Sequence, residues 1–309
     1  MDFFPTQNLK PWAQMLWFLA IVFVVMLFTY LLGLVLAVPI FGKSISELQT
    51  AMSGSPSDRS VSMLLYFQFI SQMGIFVLPP LLFAMLIKKN IIYYFQLDKN
   101  PNSRSLLFSF LIAFTILPAI NILAQWNQQL NLPELFQGTQ QWMEVREETA
   151  KELTELFLNR TSWQALMSNL IFIAVIPAIG EELFFRGVLQ KTFSEWFRNP
   201  HAGIFLTSVL FSALHMQFFG FLPRFVLGLL FGYYFYWSRS LWLPVFAHFI
   251  NNGAAVIVAF LAARGTVKVN YEEFGSYNSN VWLVVFYTAI TLVLLYFIYY
   301  QSRIKESYK

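Results

Sequence analysis

The sequence predicts an all-α, polytopic membrane protein of about eight transmembrane helices, and three observations predict it. First, 57% of the 309 residues are hydrophobic and only 12% are charged, against about 25% charged in soluble domains. Second, uncharged apolar runs of the roughly 20 residues that a helix needs to cross the hydrocarbon core recur along the chain. Third, the strict alternation of a transmembrane β-barrel is absent. The whole chain, 1–309, reads as one integral membrane domain with no internal repeat or soluble second domain.

The runs justify the spans in order. They lie between Lys10 and Lys43, Arg59 and Lys88, Arg104 and Glu134, Arg160 and Glu181, and Arg198 and Arg224. A shorter run, Phe225 to Ser238, is extended by Leu222 and Pro223. The last two lie between Arg239 and Arg264 and between Glu273 and Arg303. The first run is too long for a signal peptide and lacks a small-x-small cleavage site, so it is expected to be retained.

Loop charge sets the expected orientation. Lys88, Lys89, Lys99 and Arg104 crowd one short loop against the single acid Asp98. The positive-inside rule makes that loop cytosolic. With eight spans both termini are then cytosolic, at the cell membrane if the source is bacterial. Lys10, Lys191, Arg198, Arg239, Arg303, Lys305 and Lys309 fit; Lys43, Arg59, Arg264 and Lys268 do not. The loop 126–160 falls on the other side. Within it, Trp142, Val145, Thr149, Leu153, Leu156 and Phe157 share one helical face, opposite a glutamate-rich one. That is an amphipathic helix, lying on the membrane surface or covering a cavity.

The fourth run ends in Ile179-Gly180-Glu181-Glu182-Leu183-Phe184-Phe185-Arg186-Gly187. Ionisable groups within a span cost roughly 2.5–3.5 kcal/mol each at its centre, so they face protein or water and are functional candidates. Glu182 and Arg186 are four apart and can pair along one face. Glu181 is rotated by about 100° and lacks that partner. Pro177 and Gly180 suggest a helix broken and restarted here, with both carboxylates in its first turn. Gly187 permits close approach of another helix.

Two of the three histidines also fall in apolar runs. Phe211 and His215 are one turn apart in the fifth, and His248 and Asn252 in the seventh. A lone membrane histidine or asparagine usually serves as interhelical hydrogen-bond glue. A carboxylate, two imidazoles and an amide from three spans supply a base, a second proton-handling group and two donors. Those parts suit attack of water on an amide carbonyl.

Other hydrolytic designs fare worse. The aspartates, Asp2, Asp58 and Asp98, all lie outside the spans, which excludes an intramembrane aspartyl dyad. The absence of cysteine excludes thiol catalysis and disulfides. There is no His-Glu-x-x-His zinc helix, and Ser212 is an ordinary small residue of a packed membrane helix. A zinc ion held by Glu181, His215 and His248, with or without Asn252, stays open as an alternative.

The three motifs resemble those of the type II CAAX prenyl endopeptidases, within the wider CPBP (or Abi) family of intramembrane glutamic proteases. The family pattern E-E-x-x-x-R, F-x-x-x-H, H-x-x-x-N is matched by Glu181–Arg186, Phe211–His215 and His248–Asn252. The resemblance covers about Leu166 to Ala263, within a catalytic core at 160–263. It implies spans around an intramembrane catalytic cavity open toward the cytosol, and proteolysis without a covalent intermediate, metal or other cofactor. It implies Glu181 as general base, assisted by His215, with His248 and Asn252 donating to the oxyanion. Glu182 and Arg186 would hold the site in shape, and Phe211 would wall it. The implied partners are membrane lipid and a peptide or protein substrate, with lipid modification at the substrate's C-terminus one option; none is a nucleic acid. Two rivals remain: a non-catalytic immunity or chaperone protein keeping the motif as a polar network, and an ion-coupled carrier.

Overall fold

The computed structural model describes residues 9–48, 58–88, 90–267 and 280–307. Asp2, Lys89, Lys268, Glu273 and Lys309, used in the charge pattern above, lie outside them. The described residues are helical, with no β-strand among them. In hydrocarbon the backbone must satisfy its own hydrogen bonds, and a helix does so within one segment. The apolar runs therefore become helices.

Helix α1 is Pro11–Phe41, opened by a proline at its start and closed by Gly42 at φ +61°. Helix α2 runs from Asp58 to Gln72 and through a π-helical turn, Met73–Val77, into Leu78–Lys88. A short helix, α3 (Ile91–Tyr94), leads to α4 (Ser103–Thr115) and α5 (Leu117–Gln128), which form one span bent by 44°. Helix α6, Gln137–Leu158, is the amphipathic one. Helix α7, Trp163–Trp196, is continuous over 34 residues. Helices α8 (Pro200–Ala213), α9 (Phe221–Ser238), α10 (Trp242–Ala263) and α11 (Val281–Ser307) follow.

Six of these helices are long and apolar enough to cross a membrane, and the bent α4–α5 pair makes a seventh. The chain is a multi-pass membrane protein. The eighth expected span, α8, has 14 residues and a length of about 21 Å, short of the roughly 30 Å hydrocarbon core. The most apolar windows of α1 and α11 are only 11% buried, so these two lie at the periphery with large apolar side chains facing outward. Helices α7, α9 and α10 form the middle, each 39% buried over the same kind of window.

Glycines let neighbours close on α7. A Cβ at Gly180 would stand 2.9 Å from Val77 and 3.2 Å from Phe76, on the π-turn of α2. A Cβ at Gly187 would overlap the ring of Phe95, just beyond α3. At the same end Lys191 donates to the Tyr94 carbonyl and lies over the rings of Tyr94, Phe95 and Phe235. Burial, with Glu195 as a lesser cause, pushes the Tyr94 phenol up. The resulting core joins Phe18, Phe83 and Phe95 to Leu183, Phe184, Phe185, Val188 and Phe211.

Helix α6 is tied down rather than loose. The Trp142 ring lies 5.3 Å from that of Phe218, and Glu147 Oε2 accepts from the Phe219 N–H at 3.3 Å. Phe157 and Leu158 are buried, and Asn169 Nδ2 on α7 donates to Phe157 O at 2.6 Å. The helix therefore packs on the segment that follows His215, while Val145 on its apolar face stays exposed.

Two expectations are corrected. The chain does not break before the carboxylates: α7 runs on, and Glu181 and Glu182 sit in its middle rather than in a first turn. Two π-helical stretches, Leu170–Val175 and Leu183–Gln190, absorb the irregularity that Pro177 and Gly180 signalled. His215 is not inside a span either, because α8 ends at Ala213 and Leu214 is its C-cap. A turn carries the chain onward through Met216, whose φ is +54°. Asn127 at the end of α5 holds the turn by donating to Phe218 O at 3.0 Å and accepting from Leu222 N at 2.7 Å.

Candidate active site

The middle of α7 carries two adjacent carboxylates with different surroundings. Glu182 is fully buried, and its Oε1 accepts from Arg186 Nη1 and from His248 Nδ1, both at 2.9 Å. Glu181 is 7% exposed, and its Oε2 has no hydrogen-bond partner in the protein. The cause is local: neighbouring residues on a helix differ by about 100°, so one carboxylate alone can face both Arg186 and α10.

Arg186 is fully buried. Its Nη2 donates to the Gly228 carbonyl on α9 at 2.9 Å. Its guanidinium stands 4.8 Å from the centre of the Phe211 ring, 5.5 Å from Phe231 and 5.9 Å from Phe185. One turn on, Gln190 repeats the contact, donating to the Gly232 carbonyl at 3.0 Å. Arg186 and Gln190 are four apart, as are Gly228 and Gly232, so two polar rungs lock α7 to α9. Such bonds are worth more in a buried site than in water, because their loss leaves polar groups unpaired.

The histidines are held through the same nitrogen. His215 Nδ1 lies 2.7 Å from the Phe211 carbonyl, and His248 Nδ1 lies 2.9 Å from the Glu182 carboxylate. Both partners accept only, so Nδ1 carries the proton in each ring and Nε2 is left for chemistry. The Phe211 ring touches both imidazoles, at 5.0 Å from His215 and 6.0 Å from His248. Phe231 stacks on the other side of His248 at 5.1 Å. His248 is buried, whereas His215 is exposed beside Leu214 and Met216 at the rim facing α6. Glu181, Arg224 and His248 all lie within electrostatic reach of His215.

Asn252, one turn beyond His248 on α10, is half-buried. Its Nδ2 donates to the Ile173 carbonyl on α7 at 3.1 Å, and its Oδ1 accepts from Asn251 Nδ2 at 3.2 Å. The second Nδ2 hydrogen remains for another acceptor.

The structure thus joins Glu182, Arg186, Phe211 and His248 in one packed cluster, with Glu181 and His215 beside it and Asn252 one turn away. Gly228, Gln190 and Phe231 complete the cluster and were not foreseen from sequence. Their only signal is periodic: Glu182, Arg186 and Gln190 recur every four residues, as do Gly228 and Gly232. The zinc alternative needs Glu181, His215 and His248 to converge. Among the described residues no three His, Cys, Asp or Glu side chains are grouped to hold a metal.

Residues 163–254 match the family described as type II CAAX prenyl endopeptidase Rce1-like. Over 86 residues the chain is 33% identical to Uncharacterized protein YpbD of Bacillus subtilis (strain 168). That stretch is 26% of this chain and 41% of the relative, so the match spans less than half of the curated relative's length. No solved structure matches. The matched segment carries every residue of the candidate site, Glu181, Arg186, His215, His248 and Asn252, and is similar to the Rce1-like family over this stretch.

Proposed function

We propose that this protein is a membrane-embedded endopeptidase that hydrolyses a peptide bond with water activated by Glu181. The observation that carries the reading is the division of labour between the carboxylates. Oε2 of each carboxylate is buried without a protein partner, but Glu182 is anchored through Oε1 by Arg186 and His248, whereas no such ion pair among the described residues holds Glu181. A carboxylate so placed accepts a proton from water as the water oxygen bonds to the peptide carbon. The carbonyl oxygen becomes an oxyanion. The free Nδ2 hydrogen of Asn252 donates to it, as does Nε2 of His248 in its doubly protonated form. Glu181, assisted by His215 at the rim, then returns the proton to the leaving amine as the C–N bond breaks. No covalent enzyme intermediate is needed.

The family match over 163–254 supports the substrate class. That class is a peptide or protein segment presented at the membrane, with a lipid-modified C-terminus the first candidate. Loop charge assigns the loop around α3 to the cytosolic side and α6 to the other, and both termini are cytosolic when the short α8 is counted as the eighth crossing.

A non-catalytic polar network accounts for Glu182, Arg186 and Gln190, which tie α7 to α9 and α10. It gives Glu181 nothing to hold. Purified protein in detergent, offered a peptide library that includes prenylated C-terminal peptides, separates the readings. Cleavage is expected from the wild type, unaffected by a chelator and lost in Glu181→Gln with the thermal midpoint unchanged. Equal cleavage by Glu181→Gln sinks the proposed mechanism. Loss with chelator transfers the activation of water to a metal. No cleavage by folded wild type supports the network reading.

A further inference from the structure

Pro177 precedes the carboxylates by one turn and has no N–H to give to the turn before it. In an α-helical register the carbonyl left without its donor is Ile173 O, four residues back. In the wider register of the π-helical stretch Leu170–Val175 it is Phe172 O, five back. Each of these two carbonyls receives a side-chain amide from a neighbouring span. Asn252 Nδ2 on α10 donates to Ile173 O at 3.1 Å, and Gln68 Nε2 on α2 reaches Phe172 O at 3.5 Å. Buried backbone acceptors are rarely left unpaired, and in a membrane no water makes good the loss.

The bond to Ile173 O does more than satisfy a carbonyl. An asparagine amide turns freely about its last torsion unless both ends are held. Asn252 is held at Nδ2 by Ile173 O and at Oδ1 by Asn251. One amide hydrogen is thereby fixed on α7, and the direction of the other follows from the planar geometry of the NH₂ group.

We propose that Pro177 is a positioning residue: by withholding an N–H it keeps Ile173 O open for Asn252, and so aims the second amide hydrogen of Asn252 at the reacting carbonyl. This rests on the proposed role of Asn252 as an oxyanion donor. Pro177→Ala supplies an N–H four residues from Ile173 O, and the backbone then competes with Asn252 for that acceptor. The helix itself is unharmed, because alanine is the best helix former.

The test is a double-mutant cycle in kcat and KM on the best peptide from the library. Removing an oxyanion donor outright costs about 10²–10³ in kcat. Pro177→Ala, which misdirects the donor without deleting it, is expected to lower kcat about tenfold and to leave KM within about twofold. In an Asn252→Ala background the same change is expected to have no further effect on kcat. Gln68→Leu, which removes the other amide at the same irregularity, is expected to leave kcat unchanged. Full kcat in Pro177→Ala overturns the proposal. So does an equal loss with and without Asn252, and so does a comparable loss in Gln68→Leu, since both mean that Pro177 acts through helix shape. Wild-type kcat in Asn252→Ala is a different failure: it removes Asn252 from the proposed mechanism whatever Pro177 does.

Discussion

Replacing Arg186 with methionine tests the cluster by stability rather than activity. Methionine nearly matches the arginine stem in volume and adapts to irregular cores, so the change isolates the guanidinium. Two hydrogen bonds of 2.9 Å disappear, to Glu182 and to Gly228 O, together with the face contacts to Phe211, Phe231 and Phe185. Glu182 is left fully buried, with His248 as its remaining partner. Removing one member of a buried pair costs about 3–5 kcal/mol, mostly because the other charge is stranded. Replacing both members with uncharged groups is often near neutral. Arg186→Met is therefore expected to lose about 3–5 kcal/mol, and Glu182→Gln/Arg186→Met to recover most of that loss. Unfolding in mixed micelles, followed by the fluorescence of the nine tryptophans, reads both values. A loss under about 1 kcal/mol in Arg186→Met means the guanidinium is hydrated rather than buried. Additive losses in the double variant mean the two side chains do not act as a pair.

Gly187→Ala puts a methyl group into the Phe95 ring and is expected to destabilise by about 1–3 kcal/mol, largely relieved by Phe95→Leu, in the same unfolding assay. Gly138→Ala in α6, where a Cβ meets nothing within 4 Å, is the control and is expected to be neutral or slightly stabilising. The natural chain has no cysteine, so single cysteines report orientation directly. A membrane-impermeant maleimide is expected to label Glu144→Cys on intact cells and Lys99→Cys only after permeabilisation. The opposite pattern overturns the charge-based orientation and puts the His215 rim, which faces α6, on the cytosolic side.

The spans were legible because hydrocarbon leaves the backbone few choices. Between Arg59 and Lys88, or Arg239 and Arg264, nothing in the composition competes with a helix. The end of α8 was hidden because the apolar run does not stop there. It continues through Leu214, Phe218, Phe219 and Phe221, and the turn is imposed from outside by Asn127, more than eighty residues upstream. A single side chain clamping a carbonyl and an N–H across that separation leaves no periodic trace. The uninterrupted α7 was hidden for a different reason. Pro177 and Gly180 are genuine helix breakers in isolation, but a π-helical turn and two borrowed amides accommodate the proline, and Gly180 serves contact with Phe76.

The site itself divides along the same line. The pairing of Glu182 with Arg186 is local, so spacing alone suggested it, and the structure places the two 2.9 Å apart. The third member of that pair, His248, comes from a helix sixty-six residues away and could be matched to Glu182 only in three dimensions. Gly228 O and Ile173 O are backbone atoms, which no motif can name. Yet these contacts are what make the two glutamates unequal. Every bond that engages Glu182 lowers the cost of burying it, and none does the same for Glu181, which lies one residue away at nearly the same depth. A network built only to join helices would gain by replacing Glu181 with an apolar residue, since an unpaired buried carboxylate opposes folding. Its presence is a local conflict of the kind expected where function outweighs stability. That conflict motivates giving Glu181, rather than Glu182, the task of activating water.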